Sequence, residues 1–147
     1  VGKAVVMGLL DRHGDVRVKH IKGTKRKHVA THVREHVEVG SEVFTDALKS
    51  YDDLSDEFLH QVVDHAEKYV DGKIHTNGLE NFWSLLKRGI KGTYVSVEPF
   101  HLFRYLDEQS FRFNTRKNND QGRFMEAMAS IVGKRVEYKD LIGQTTH

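Results

Sequence analysis

Cysteine is absent from these 147 residues and proline occurs once. The first absence excludes a disulfide framework, thiolate zinc sites and thiol nucleophiles, and it fits a reducing cytoplasm. No apolar run approaches the roughly 18–20 residues that a membrane-spanning helix requires. The opening Val1-Gly2-Lys3-Ala4-Val5-Val6-Met7-Gly8-Leu9-Leu10 is apolar, but it is too short and too soon followed by charge to serve as a signal peptide. Its first residue is not Met, which suggests a segment of something longer. Net charge is scarce too, because 23 Lys plus Arg against 21 Asp plus Glu leave +2. With 38% hydrophobic residues, the expectation is one soluble globular domain. At such a length roughly 68–70% of the unfolded surface can be buried, so a core forms without staples.

The charges that are present are unevenly placed. Positive residues gather in Lys22 to Lys27, Lys87 to Lys91 and Arg112 to Lys117, and acids gather in Asp46 to Glu57. That asymmetry permits a polyanion partner, although solvated loops and helix ends explain any one cluster alone.

Ala4 to Leu10 and Val16 to Ile21 are β-prone, and the polar, Gly-containing link Asp11 to Asp15 suits a hairpin. In the second run Val16, Val18 and His20 share one face, and Arg17, Lys19 and Ile21 the other. Thr24 is positioned to cap a helix from about Lys25 to Val37, with Val29, Val33 and Val37 at four-residue spacing and Gly40 as a stop. Glu42 to Asp46 reads as a short strand ending in an acid. Phe58 to Val63 reads as another, although Phe58, Leu59, Val62, Val63 and Ala66 also fit one helical face. A helix from Gly78 to about Arg88 sets Leu79, Phe82, Trp83, Leu86 and Ile90 on one side and Glu80, Ser84, Lys87 and Lys91 on another. The next begins after Ser96 with Pro99 in its first turn and carries Leu102, Phe103, Leu106 and Phe113. Beyond the break at Asn118 to Gly122 comes a shorter helix with Phe124, Met128 and Ile131, ending at Gly133. Strands alternating with helices in this order indicate an α/β layer architecture.

Asp46 and Glu80 are the first pair able to carry chemistry. Asp46 ends a strand, where open α/β sheets place their ligands, and Glu80 opens a helix. Brought together, the two carboxylates repel unless a hard cation such as Mg²⁺ lies between them, which points to phosphoryl transfer. Each also has a structural reading, Asp46 as a strand-end turn residue and Glu80 as a capping-box partner of Asn77. Lys87, seven residues past Glu80, returns to nearly the same helical face and can hold a phosphate. Arg88 and Lys91 extend the positive end, where cations also simply complement the helix dipole. His28, His32 and His36 recur every four residues. A solvated stripe is the preferred reading, since three ligands stacked over two turns diverge too far to close one tetrahedral site. His65 and His75 suit polar roles near the acids or hydrogen-bonded loop positions. Phe82 and Trp83 read as core, which leaves Tyr94 as the freer aromatic for stacking on a base.

The run His75-Thr76-Asn77-Gly78-Leu79-Glu80-Asn81-Phe82-Trp83-Ser84-Leu85-Leu86-Lys87-Arg88-Gly89 resembles a bacterial insertion-sequence transposase of the DDE type. Further matches are Tyr51 after Thr45-Asp46, the Asp64-His65 step, Gly92-Thr93-Tyr94, and Arg104 to Glu108 leading to Phe111 to Asn114. Together they span most of residues 4–117. The resemblance implies a ribonuclease H-like mixed sheet with flanking helices, which cuts and joins DNA with three carboxylates and Mg²⁺ or Mn²⁺. By position Asp46 resembles the second acid, Glu80 the third and Lys87 the basic residue one heptad beyond, while His65 and Asn77 resemble accompanying motif residues. The family's first Asp lies on an opening strand upstream of the segment matching Ala4 to Leu10, so a central strand and one metal ligand are expected to be missing here. Asp11, beside the hairpin, is a poor substitute.

The expected organisation is a catalytic-core-like region over residues 1–117, with residues 118–147 forming a C-terminal helix and tail packed on the same domain. The expected function is a transposase catalytic domain, inactive if isolated without the missing strand, in a bacterial cytoplasm close to the nucleoid. Its expected partners are transposon-end and target DNA, contacted by Lys87, Arg88, Lys91 and Tyr94, and further copies of itself; no membrane partner is expected. The alternatives are a non-catalytic DNA-binding or assembly module derived from a transposase, and a metal-dependent nuclease outside transposition.

Overall fold

The computed structural model of the chain describes residues 4–11, 13–45, 54, 57–62 and 77–143. Strands β1 (Val5–Leu10) and β2 (Val16–Ile21) pair antiparallel, from Val5 opposite Ile21 to Leu10 opposite Val16. The turn between them is held by Asp11. Its carboxylate accepts the backbone N–H groups of His13 at 2.7 Å and Asp15 at 3.1 Å, an arrangement that short Asp side chains favour.

Side chains alternate across a strand, so each face of this hairpin needs its own cover. Val5, Met7, Leu9 and Ile21 pack with Val29, Ala30 and Val33 of α1 (Arg26–His36) and with Leu54 and Phe58. From the opposite face Val6, Leu10, Val16 and Val18 meet Leu79, Phe82, Trp83 and Leu86 of α2 (Asn77–Arg88) and Leu102, Leu106 and Phe113 of α3 (Leu102–Asn114). The hairpin is thus the middle layer between α1 on one side and α2 with α3 on the other. The face partition expected for β2 is the one observed.

Two features of α1 differ from expectation. Lys25, not Thr24, occupies the N-cap position, and its side chain makes no capping bond. His32 is 3% exposed, so the histidines do not form a solvated stripe. The face bearing Val29 and Val33 is wide enough to take in Ala30 and His32; His28 lies at its edge, half-buried, and His36, although on the same face, is exposed because it is the last residue of the helix.

Strands β3 (Glu42–Thr45) and β4 (Leu59–Val62) pair in parallel, from Glu42 opposite Leu59 to Thr45 opposite Val62. The Leu59 N–H donates to the Ser41 carbonyl at 3.0 Å, and the Gly40 N–H to the Glu57 carbonyl at 2.8 Å. Strands of both senses are therefore present, as a mixed α/β architecture requires. Among the described residues they form two separate two-stranded sheets. Both lean on the same core, since Val43 of β3 packs against the cluster under α1.

Past α2 the backbone widens into a π-helical turn, Gly89–Thr93, and re-enters a helix through a 3₁₀ turn at Pro99–His101. In α3 Leu102, Leu106 and Phe113 are buried, whereas Phe103, carried by the same helix, is 45% exposed. The break before α4 (Asp120–Ile131) is a cap: the Asn119 side chain accepts the Gly122 N–H at 2.8 Å. Gly133, at φ +76°, follows the helix as its stop. Phe124, Met128 and Ile131 are all exposed. The short α5 (Tyr138–Leu141) is tied to α3 by Arg104, whose guanidinium donates to the Asp140 carbonyl.

Asn114, ending α3, joins the two ends of this architecture. Its Oδ1 accepts the Val16 N–H at 2.7 Å and its Nδ2 donates to the Val16 carbonyl at 2.9 Å. Asn114→Ala leaves both backbone groups of a buried residue unpaired, and a loss of about 1–3 kcal/mol in urea denaturation is expected. Gly8→Ala is expected to cost about 1–3 kcal/mol by the same measurement through overpacking. A Cβ there would lie 2.8 Å from Trp83 Cζ2 and 2.9 Å from Leu79 Cδ1.

Candidate active site

Bare backbone at Gly8 lets the Trp83 ring lie directly on β1, and Gly78 sits against the Leu10 side chain. Helix α2 therefore runs antiparallel to β1, its first turn at the Leu10 end of the strand. Phe82 and Leu86 are buried and Leu79, Trp83 and Ile90 partly so, as the apolar spacing predicts. On the other side Glu80, Ser84 and Lys87 face solvent. Among the described residues nothing hydrogen-bonds or ion-pairs with the Glu80 carboxylate. Lys87 lies on the same stripe roughly 10 Å further along the axis, at about 1.5 Å per residue.

The structure places the remaining expected residues as follows. Asp46, His65 and His75 lie outside the described residues, as do Tyr51 and Asp64. Thr45 is the last residue of β3, so Asp46 follows that strand directly in sequence. Asn77 is the first residue of α2. Asp11 uses its carboxylate within the hairpin turn, accepting two backbone N–H groups. Arg88 ends α2, Lys91 sits in the π turn, and both are exposed. With Lys87 they form a positive group at the C-terminal end of the helix, where the dipole favours cations.

Tyr94 is less free than its loop position suggests. Its hydroxyl donates to Glu108 Oε2 at 2.7 Å, and its ring packs edge-on against Tyr105, centroids 4.6 Å apart. Glu108 in turn pairs with Arg112 at 2.9 Å. The Glu108 carboxylate, by accepting this bond, holds the phenol pKa above its ordinary value. Spacing alone did not reveal this anchoring, because its partners come from α3; the available signal was the matched segment Arg104 to Glu108. The next residue, Val95, has φ +61°, a left-handed conformation that is costly for a β-branched side chain. The chain leaving the π turn is thus tethered at one residue and strained at the next.

His32 likewise differs from the solvated position that its spacing suggests. Burial lowers its pKa, with His36 and Lys19 acting in the same direction, so the imidazole is neutral at pH 7.

Residues 1–114 match the family model of the ISXO2-like transposase domain. The chain belongs to this family. The matched segment ends at Asn114, the residue that clamps α3 to β2, so the matching unit includes both hairpin faces and their covering helices. A Haemophilus influenzae protein described as an uncharacterized transposase-like protein is 33% identical over 90 residues, which is 60% of this chain and 72% of that relative. No solved structure matches the chain. Among its described residues, this transposase domain has no helix long and apolar enough to cross a membrane.

Tyr94→Phe is expected to lower the stability of the transposase domain by about 1 kcal/mol or less, since the bond it removes is only half-buried. The folded-state phenol pKa is raised, so the contribution is present at neutral pH. It is lost as pH rises through that value, above the ordinary value of about 10. Denaturant titrations of both proteins from pH 7 upward should therefore converge in alkali.

Proposed function

We propose that this domain is the catalytic part of a transposase that cleaves DNA strands and transfers the freed ends, with Asp46 and Glu80 as two of its metal-binding carboxylates. The observation that carries the reading is the α2 stripe. A solvent-facing carboxylate without a partner among the described residues stands one heptad before an exposed ammonium, within a chain of transposase family. An unpaired carboxylate fits a hard divalent cation, Mg²⁺ or Mn²⁺, which takes oxygen ligands and keeps waters for a phosphate. When bound, such ions supply the charge that activates a water or 3′-hydroxyl and stabilises the departing oxygen. Glu80 and Asp46 would hold the cation. Lys87 would bind a phosphate of the DNA backbone, and Arg88 and Lys91 would extend that contact along the strand.

The two strand pairs support a ribonuclease H-like sheet within this reading. β1 and β3 each keep an unpaired edge among the described residues, yet both sit over one apolar cluster. A further strand between those edges would complete a mixed sheet, and an Asp on it would be the third carboxylate. The exposed group Lys87, Arg88 and Lys91 is also what a non-catalytic DNA-binding or assembly module would use. Such a module would bind DNA with steep salt dependence and no requirement for metal.

The decisive experiment measures Mn²⁺ affinity and Mn²⁺-dependent nicking of supercoiled DNA for the chain, Asp46→Asn and Glu80→Gln. Each substitution should weaken Mn²⁺ binding at least tenfold. It should also reduce any nicking by about a hundredfold or more, because a bound ion is worth several kcal/mol of transition-state stabilisation. Unchanged affinity and unchanged nicking in both variants would refute the assigned roles. Metal-independent DNA binding without Mn²⁺ affinity would favour the module.

A further inference from the structure

On α1, one donor atom from each of His32, Glu35 and His36 lies within 4.8 Å of one from each of the others. Their states are complementary. His32 is 3% exposed, and among the described residues neither its Nδ1 nor its Nε2 has a hydrogen-bond partner. Buried imidazole nitrogens without partners are uncommon because the desolvation they suffer goes uncompensated. His36 Nδ1 lies 3.0 Å from the His32 carbonyl. A carbonyl only accepts, so Nδ1 donates in this bond, which in the neutral imidazole leaves Nε2 with its lone pair. Backbone bonds of this type commonly orient ligating imidazoles. Glu35 accepts the Lys19 ammonium through Oε2 at 2.9 Å, leaving Oε1 available.

We propose that His32, Glu35 and His36 form a binding site for a divalent transition-metal ion, Zn²⁺ by the chemistry of its donors. Two imidazoles and one carboxylate suit this borderline ion and leave a position for water, whereas Mg²⁺ prefers oxygen throughout. The geometric objection to a histidine stripe does not apply to this set. His28 and His36 are about 12 Å apart along the axis, but His32, Glu35 and His36 occupy a single turn. Bond lengths of 2.0–2.1 Å place tetrahedral ligand atoms about 3.3 Å apart. The remaining contraction from 4.8 Å would fall to Glu35 and His36, both exposed, with the Glu35 carboxylate giving up its Lys19 bond and the His36 ring adjusting about its bond to the His32 carbonyl. The ion would supply the partner His32 lacks and brace the last turns of α1, with the Lys19 ammonium as its competitor for Glu35. The site is independent of Asp46 and Glu80, and its donor set differs from theirs.

The test is calorimetric titration of the whole chain with Zn²⁺ in excess Mg²⁺, together with thermal unfolding. The proteins compared are the unaltered chain, His36→Ala, Glu35→Gln and the control His28→Ala. His36 is exposed, so its removal spares the core. One site of micromolar affinity and a Tm raised by a few degrees are expected, because an ion that binds only the folded state stabilises it by mass action. Affinity should fall at least tenfold in His36→Ala, fall less in Glu35→Gln, and stay unchanged in His28→Ala. Absence of binding below millimolar Zn²⁺, or equal affinity in His36→Ala and the unaltered chain, overturns the proposal. So does loss of binding in His28→Ala, which would move the site to the preceding turn.

Discussion

A hairpin whose two faces are both apolar cannot leave either one in water, and the described architecture follows from meeting that demand. One face takes α1. The other takes α2 and α3, and here the missing side chain at Gly8 matters most, because it lets the Trp83 ring reach the strand. That contact sets the height and direction of α2 and so brings the turn bearing Glu80 to the Leu10 end of β1. A side chain at Gly8 would push away the same helix that presents Glu80 and Lys87 to solvent, so core packing and the presentation of the charged stripe are one constraint.

The second determinant is the closing of the chain upon itself. Asn114 imitates a neighbouring strand by giving both a donor and an acceptor to Val16, its partner 98 positions earlier. Six residues before it, Glu108 holds Tyr94, so a single helix, α3, fixes both the start of β2 and the chain leaving the positive end of α2. The family match ends at Asn114, beyond which the chain presents the exposed apolar residues of α4.

Much of this is legible in the amino-acid sequence. Period-two alternation identified the hairpin and its faces, period 3.6 identified α2 and its charged stripe, and Asn119 and Gly133 bounded α4. Errors arose where one residue's environment is set by another element. Phe103 fits the apolar period of α3 yet lies beyond the surface that the hairpin offers. Thr24 has capping chemistry, but the helix begins one residue later. Tyr94 looked free because Glu108 and Tyr105 approach from another helix. His32 looked solvated because histidine is polar, although the face carrying Val29 and Val33 carries it inward as well.

Sequence alone determined the element types, the partition of side chains between the two hairpin faces and, through the run from His75 to Gly89, the transposase family. These depend on local periodicity and residue identity, which are properties of the chain itself. Only the tertiary structure decided that two strand pairs share one apolar cluster without joining among the described residues, that Tyr94 is anchored, and that the donor atoms of Glu35 and His36 gather beside the buried imidazole of His32. Those outcomes depend on which surfaces meet, and the meeting is governed by packing between elements far apart in the chain.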